Sequence, residues 1–227
     1  MRKINLFISV YQDKVPERTK ELQECLTRNA NAGFDKITLF LEPKSESELL
    51  ELSDTAFGVT TPDNSNIIVS RERVNFNYFF SIMSNPQFSD GINIVCNSDI
   101  YFDSDSLDNI RKFYDETPNK ETTCLALSRW DIYPDGSVKL FDRWDSQDTW
   151  IFYGSPNVVA SIDFPLGRAG SDNRIAYEIE QSGYTVLNPS KTIKTYHLHL
   201  CNVRNYINDA GEVIDRVPPP YKLIQPT

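Results

Sequence analysis

Between Ile92 and Asp103 the chain reads INIVCNSDIYFD, in which an apolar run breaks into Asn97-Ser98-Asp99 and then resumes with Ile100, Tyr101 and Phe102. No other stretch constrains the fold as much. A short apolar run that ends in turn residues is a buried strand. Its terminal carboxylate is carried to the rim of a sheet, where open α/β folds keep their ligand crevices. Asp99 therefore falls where a metal or a phosphate would sit.

The flanking sequence supplies partners for that strand. Ile4 to Tyr11 and Lys36 to Glu42 read as strands, and between them Pro16 opens a helix whose Leu22, Cys25, Leu26 and Ala30 keep helical spacing until Gly33. Ser45 to Phe57 predicts a polar helix with Leu49, Leu50 and Leu52 inward, Asn66 to Ser70 a third strand, and Arg71 to Met83 an aromatic-rich helix. A helix over Ser106 to Asp115 follows, with Asp105 or Ser106 as its cap. Strands that alternate with helices predict a mostly parallel, doubly wound α/β sheet.

The pattern changes after Asp115. Thr122 to Tyr133 reads as one strand, Pro134-Asp135-Gly136 as a turn, Ser137 to Phe141 as the returning strand, and Asp145 to Gly154 as an aromatic strand. This half is expected to cover the end of the first sheet with less regular, antiparallel structure. Ser171 or Asp172 can cap a helix with Ile175, Ala176 and Ile179 inward; Gly183 ends it and Tyr184 to Leu187 begins a strand. Beyond Tyr206 the Pro-rich VPPPYKLIQP reads as an extended tail lying on the body or on a partner. The predicted organisation is one domain over 1–205, with halves 1–115 and 116–205, and a tail over 206–227.

The formal charge of −9 excludes a broad nucleic-acid footprint, which needs clustered Lys and Arg. Cys25, Cys96, Cys124 and Cys201 lie far apart with no C-x-x-C pair, so buried free thiols and a reducing, cytoplasmic setting are the expectation. No apolar run approaches the length of about 20 residues that spans a bilayer.

Several side chains have chemistry to offer. Asp99 can ligate a hard divalent cation, Mn²⁺ or Mg²⁺, that is shared with substrate phosphates; its plainer reading is a turn aspartate. His197 and His199, the two histidines of the chain, stand two apart on a predicted strand and so share a face. Asn97 can orient a ribose or a metal-bound water, or simply turn the chain. Asp172 is either a cap or a general base. Asp148 beside Trp150 suits sugar hydroxyls as well as it suits a strand edge. Arg71, Arg73 and Arg168 can reach phosphates bidentately, although surface arginines are the commoner outcome.

In their order along the chain these pieces resemble the GT-A class of nucleotide-sugar glycosyltransferases over about residues 1 to 205. The resemblance rests on the first strand INLFISVY, a D-x-D-like Asn97-Ser98-Asp99, an x-E-D-like Gly170-Ser171-Asp172 followed by a helix, Gly183-Tyr184 and a strand, and a histidine after that segment. Two positions depart from the pattern: Asn97 replaces the first carboxylate of D-x-D, and Ser171 replaces an acidic residue. The resemblance implies a Rossmann-like, mostly parallel sheet with a smaller antiparallel acceptor-side portion. It implies a nucleoside-diphosphate sugar, commonly of UDP, against Val10, Tyr11, Arg73, Asn97, Ser98 and Asp99. Mn²⁺ or Mg²⁺ would be held by Asp99 with His197 or His199, Asp172 would act as base, and Asp148, Trp150 and Arg168 would meet the substrates. A sugar-phosphate nucleotidyltransferase is the alternative enzyme, but VYQDKVPERTK after the first strand lacks that class's glycines. A non-catalytic nucleotide- or sugar-binding module is the second alternative, supported by the two departures.

Overall fold

The computed structural model describes residues 2–61, 63–160, 162–201, 207–208 and 210–227. The first half alternates β1 (Ile4–Val10), α1 (Pro16–Asn31), β2 (Lys36–Leu41), α2 (Glu46–Val59), β3 (Ser65–Val69), α3 (Phe76–Met83) and β4 (Ile92–Cys96). After it come β5 (Ile100–Tyr101), α4 (Ser104–Glu116), β6 (Thr123–Leu127), β7 (Trp130–Ile132), β8 (Val138–Leu140), β9 (Thr149–Tyr153), α5 (Ser171–Gln181), β10 (Thr185–Leu187) and β11 (Tyr196–His197). Seven strands form the main sheet in the order β10-β6-β9-β4-β1-β2-β3, and β5-β11-β7-β8 form a second, smaller one. Within the main sheet β9 runs antiparallel to both neighbours, β4 and β6, while the other pairings are parallel.

Side-chain alternation along the buried strands divides the core in two. Ile4, Leu6, Ile8, Ile37, Leu39, Ile92 and Ile94 face one way, under α1, α2 and α4. Phe7, Phe40, Val95, Trp150 and Phe152 face the other way and meet Phe76, Phe79 and Phe80 of α3 and Ile175 and Ile179 of α5. The second layer is aromatic, with edge-to-face pairs such as Phe40–Phe79 at 4.6 Å and Phe76–Trp150 at 5.0 Å between ring centroids.

Several local expectations need correction. The predicted strand 122–133 is broken at Ser128, whose N–H donates to the side chains of Asn188 and Ser190 instead of to a ladder partner, so β6 stays in the main sheet and β7 leaves for the second. The second half does not merely cover the sheet, since β6, β9 and β10 extend it. The aromatic helix begins at Phe76 rather than Arg71, because Asn75 caps it by accepting from the Tyr78 N–H at 2.8 Å. Asp103, not Asp105 or Ser106, caps α4. Leu50 lies 69% exposed, so α2 buries Leu52 and leans on Leu49 alone of the neighbouring pair. Gly170, in the left-handed region with φ +77°, is the N-cap of α5, which places Ser171 and Asp172 inside the first turn.

The C-terminal segment lies on the body of its own chain. Val217 and Ile224 are buried, and main-chain bonds run from Val217 N to Ala169 O, Ile224 N to Trp144 O and Thr227 N to Asn188 O. Among the described residues no helix is long and apolar enough to cross a membrane.

Candidate active site

The parallel strands β1, β2 and β4 end side by side, and this edge collects the polar residues. β4 terminates in a turn closed by Ile100 N donating to Asn97 O at 3.1 Å, and the chain then enters the second sheet as β5. Asp99 is thus the hinge between two sheets. β11 runs antiparallel to β5 with His197 opposite Ile100, and Leu198 N donates to Asp99 O at 3.0 Å, so sheet register brings both histidines to the carboxylate.

Ligand atoms of Asp99, His197 and His199 all lie within 4.8 Å of one another. His197 Nε2 is 3.2 Å and His199 Nδ1 4.0 Å from Asp99 Oδ2. That same oxygen accepts from Arg18 Nη2, whereas Asp99 Oδ1 is buried with no hydrogen-bond partner among the described residues. Asn97 Oδ1 is in the same state. A carboxylate beside two imidazoles is a donor set that a first-row divalent cation accepts, and the orphaned Oδ1 leaves Asp99 with acceptor capacity beyond the Oδ2 that Arg18 and His197 share. The residues present therefore fit a metal.

Around this cluster the charges alternate without a gap. Arg18, 5% exposed, also donates to Leu198 O at 2.8 Å and Glu21 Oε2 at 2.9 Å. His197 Nδ1 meets Asp131 Oδ1 at 2.7 Å, Arg129 donates to Asp131 at 2.8 Å and to Asp148 Oδ2 at 2.9 Å, and Asn97 Nδ2 returns to Asp148 Oδ1 at 2.7 Å. Burial alone would raise the Asp99 pKa, but adjacent His197 and Arg18 outweigh it and hold the carboxyl well below its usual range. Burial opposes the charge on His197, yet Asp99 and Asp131 push its pKa up to about 9. Burial, with Asp99 adding to it, pushes Tyr11 up to about 12.

Arg73 joins the site from the segment before α3. Its Nη2 donates to Leu166 O at 2.7 Å, and a Cβ on Gly167 (φ +69°) would stand 3.3 Å from that nitrogen and 3.9 Å from Asn97 Oδ1. A small, shallow cleft opens beside the end of β1, lined by Val10, Tyr11 and Ser98 together with residues of α1 and α2. The Ser98 hydroxyl itself donates to Ser9 O at 2.9 Å and ties the turn to β1.

Asp172 occupies the first turn of α5. Its Oδ1 accepts from the Asn173 N–H at 3.0 Å, and the Gln147 N–H and the Asp148 charge are near enough to act on the carboxyl. Burial first, and then the Asp148 charge, lift its pKa to about 7. A helix start would ordinarily lower that value, so desolvation wins here.

Two sequence expectations separate from the cluster. Trp150 is 1% exposed in the aromatic core layer, because β9 is flanked by β4 and β6 and has no open edge, so its indole has no surface to offer a sugar. Arg168 is ion-paired with Asp215 and lines an open hollow with Arg174 and Val217. Arg18, Arg129, Asp131 and Glu42 were not foreseen. Arg18 carried a signal, since it lies four residues before Leu22 on the stripe that continues through Cys25, Leu26 and Asn29. Glu42 directly follows β2, as Asp99 lies just beyond β4. It accepts from Ser9 Oγ at 2.7 Å and Val74 N at 2.9 Å, and burial raises its pKa.

No family model and no curated protein matches the sequence. Solved structures do match. The chain resembles S. aureus TarS residues 1–349 with a TM-score of 0.53 and 13% identity, over 86% of this chain and 60% of that one. It resembles GalNAc-T7, solved with UDP, GalNAc and Mn²⁺, with a TM-score of 0.54 and 10% identity, over 88% of this chain and 44% of that one. The fold is GT-A-like. The chain spans well under two thirds of GalNAc-T7 and 60% of the TarS fragment, and at these identities the likeness is one of fold. The GT-A-like sheet places the Asp99 cluster at the carboxyl ends of β1 and β4, the crevice side of an open parallel sheet.

Proposed function

We propose that this chain is a metal-dependent glycosyltransferase that moves a sugar from a nucleoside-diphosphate sugar, in the first instance a UDP-sugar, to a hydroxyl of a glycan acceptor. The observation that carries the reading is the Asp99–His197–His199 cluster at the strand ends of a GT-A-like sheet. UDP and Mn²⁺ in the GalNAc-T7 structure support the choice of donor and ion.

In this reading Asp99, His197 and His199 would hold Mn²⁺ or Mg²⁺. The cation supplies Lewis-acid stabilisation of the charge that develops on the diphosphate leaving group. Asp131 fixes a proton on His197 Nδ1 and thereby directs Nε2 toward Asp99. Val10 and Tyr11 at the end of β1 face the nucleoside, and Arg73 with the Asn97 amide faces the phosphates or the sugar. Asp172 accepts the proton of the acceptor hydroxyl. The acceptor oxygen bonds to the anomeric carbon as the bond from that carbon to the diphosphate oxygen breaks, and the nucleoside diphosphate leaves with the electron pair. Attack from the opposite face inverts the anomeric configuration. A base poised at about 7 matches proton transfer near neutrality.

Calorimetry with UDP- and GDP-sugars, with and without Mn²⁺, tests the donor and metal together, and NMR of the product reports its anomeric configuration. Binding of none of them with Mn²⁺ present sinks the reading. One observation favours a second reading, a non-catalytic binding module: Arg18 and His197 already neutralise Asp99 with no ion present. Tight nucleotide-sugar binding without release of nucleotide in any acceptor mixture would favour that module.

A further inference from the structure

Thirteen residues from Asp215 to Thr227 cross the molecule as a strap, and their contacts converge on the start of α5. Val217 N donates to Ala169 O at 2.9 Å and Lys222 N to Asn173 O at 2.9 Å, one on each side of the Gly170–Asp172 turn. Gly170 sits under the strap: a Cβ there would lie 2.8 Å from Val217 O and 2.9 Å from the Tyr221 hydroxyl, distances at which something must shift. That hydroxyl donates to Val217 O, and Arg174 Nη1 donates to Pro218 O and Pro219 O at 3.2 Å. Further along, Ile224 N donates to Trp144 O at 2.8 Å, and Ile224 O accepts from Gln147 Nε2 and Asn188 Nδ2. The strap therefore binds both walls of the Asp172 carboxyl, namely the first turn of α5 and the 144–147 loop, whose Gln147 N–H lies near it. Asn173 Nδ2 joins the two walls directly by donating to Asp145 O at 3.1 Å.

We propose that Val217 and Tyr221 are positioning residues for the acceptor side: by closing on Gly170 they fix the first turn of α5 and press the Asp172 carboxyl against the 144–148 loop. The proposal rests on the reading of Asp172 as the base. Glycine at 170 serves two needs at once, a left-handed backbone and a surface flat enough for the strap. The cost of the arrangement is electrostatic, because the carboxyl is largely shielded from water and set near Asp148. Of the other charged groups on the surrounding elements, Asp148 pairs with Arg129, Asp145 with Arg143, Arg168 with Asp215, Arg174 with Glu178 and Lys222 with Glu180, and Arg216 of the strap is exposed to solvent. No cation among them acts on the carboxyl strongly enough to offset burial and the Asp148 repulsion. Solvation through the strap is therefore the variable that sets the Asp172 proton affinity.

The test is a ¹³C NMR titration of the whole 227-residue chain labelled at aspartate side-chain carboxyls, with Asp172 assigned by its absence in Asp172→Asn. The wild type is expected to show this carboxyl titrating at about 7. In Gly170→Ala the strap cannot seat, water reaches the carboxyl, and the midpoint is expected to fall by about one unit or more toward the ordinary value near 4. Tyr221→Ala, a smaller perturbation at the surface, carries the test if Gly170→Ala does not fold. The acid limb of turnover with a UDP-sugar should move by the same amount, which a merely structural role would not produce. Folded variants that keep the wild-type midpoint overturn the proposal, as does a wild type with no carboxyl titrating near 7. Full turnover in Asp172→Asn would instead overturn the base assignment while the titration still reports on the strap.

Discussion

Asp99 and Asp172 are both shielded carboxylates on one side of one molecule, and their surroundings drive them in opposite directions. Arg18 and His197 press on Asp99 and keep it ionised in spite of burial. Asp172 has backbone N–H groups and a neighbouring negative charge, and burial lifts it to about 7. Desolvation acts on both, so what differs is the sign of the nearest charge. A pair split in this way divides acid–base work: one group is a permanent anion suited to a cation, and the other exchanges a proton near neutrality.

Removing each carboxylate should therefore have opposite consequences for stability. Asp99→Ala strands two buried cations and is expected to lower the unfolding free energy by about 3–5 kcal/mol in urea denaturation, with Mn²⁺ binding lost in calorimetry. A variant as stable as wild type would mean that the Arg18–Asp99–His197 chain is not coupled. Asp172→Asn should reduce turnover by about 10²–10⁴-fold, the range for a positioned general base. It should not destabilise the protein at pH 8. The folded-state pKa of Asp172 lies above its unfolded value, so its contribution is fully present below about pH 4 and is lost as pH rises through about 7. Thermal melts from pH 4.5 to 8 should show a decline in wild type that is shallower in Asp172→Asn. Identical slopes would remove Asp172 from the comparison.

A smaller effect tests the link between the two ends. Among the described residues Asp131 reaches Asp99 through His197 and Asp148 through Arg129. Asp131→Asn is expected to weaken Mn²⁺ binding by about 10–100-fold, the usual loss when a partner of a ligating histidine is removed. Unchanged affinity would show that the sheet backbone alone orients His197.

The strands and helices of the first half were legible because each apolar run is short, bounded by Gly, Pro or Asn, and repeated with helical stretches between. Asp99 and the histidines were legible for a related reason: they end or follow strands, and the register of β5 with β11 does the rest. The charge chain was not, because the bonds that join its separate segments close over 51 to 98 residues and no local pattern encodes them. The break at Ser128 was hidden for the same cause, since Asn188 and Ser190 supply its partners from about 60 residues away. Trp150 was misplaced because an aromatic strand next to an acidic residue reads as an edge, and only sheet order reveals that β9 is interior. The strap was legible as an extended segment, but its seat on Gly170 depends on a tertiary contact.

Arg168 gives the smallest expected effect and a clean division between two roles on the acceptor side. Its pairing with Asp215 is solvent-exposed, with the partner side chain 69% accessible, so as a structural contact it contributes up to about 1 kcal/mol and is screened by salt. Arg168→Ala should then change the urea midpoint slightly, lose that difference at high salt, and leave the acceptor KM unaltered. As a substrate contact it would do the reverse, raising KM about tenfold or more with no stability change. Asp215→Ala separates the two further, because it frees the guanidinium without removing it. If Asp215→Ala lowers the acceptor KM while Arg168→Ala raises it, the ion pair is a competitor for substrate. The acceptor side would then resemble the Asp99 side, where Arg18 occupies the very oxygen beside which a ligand is expected.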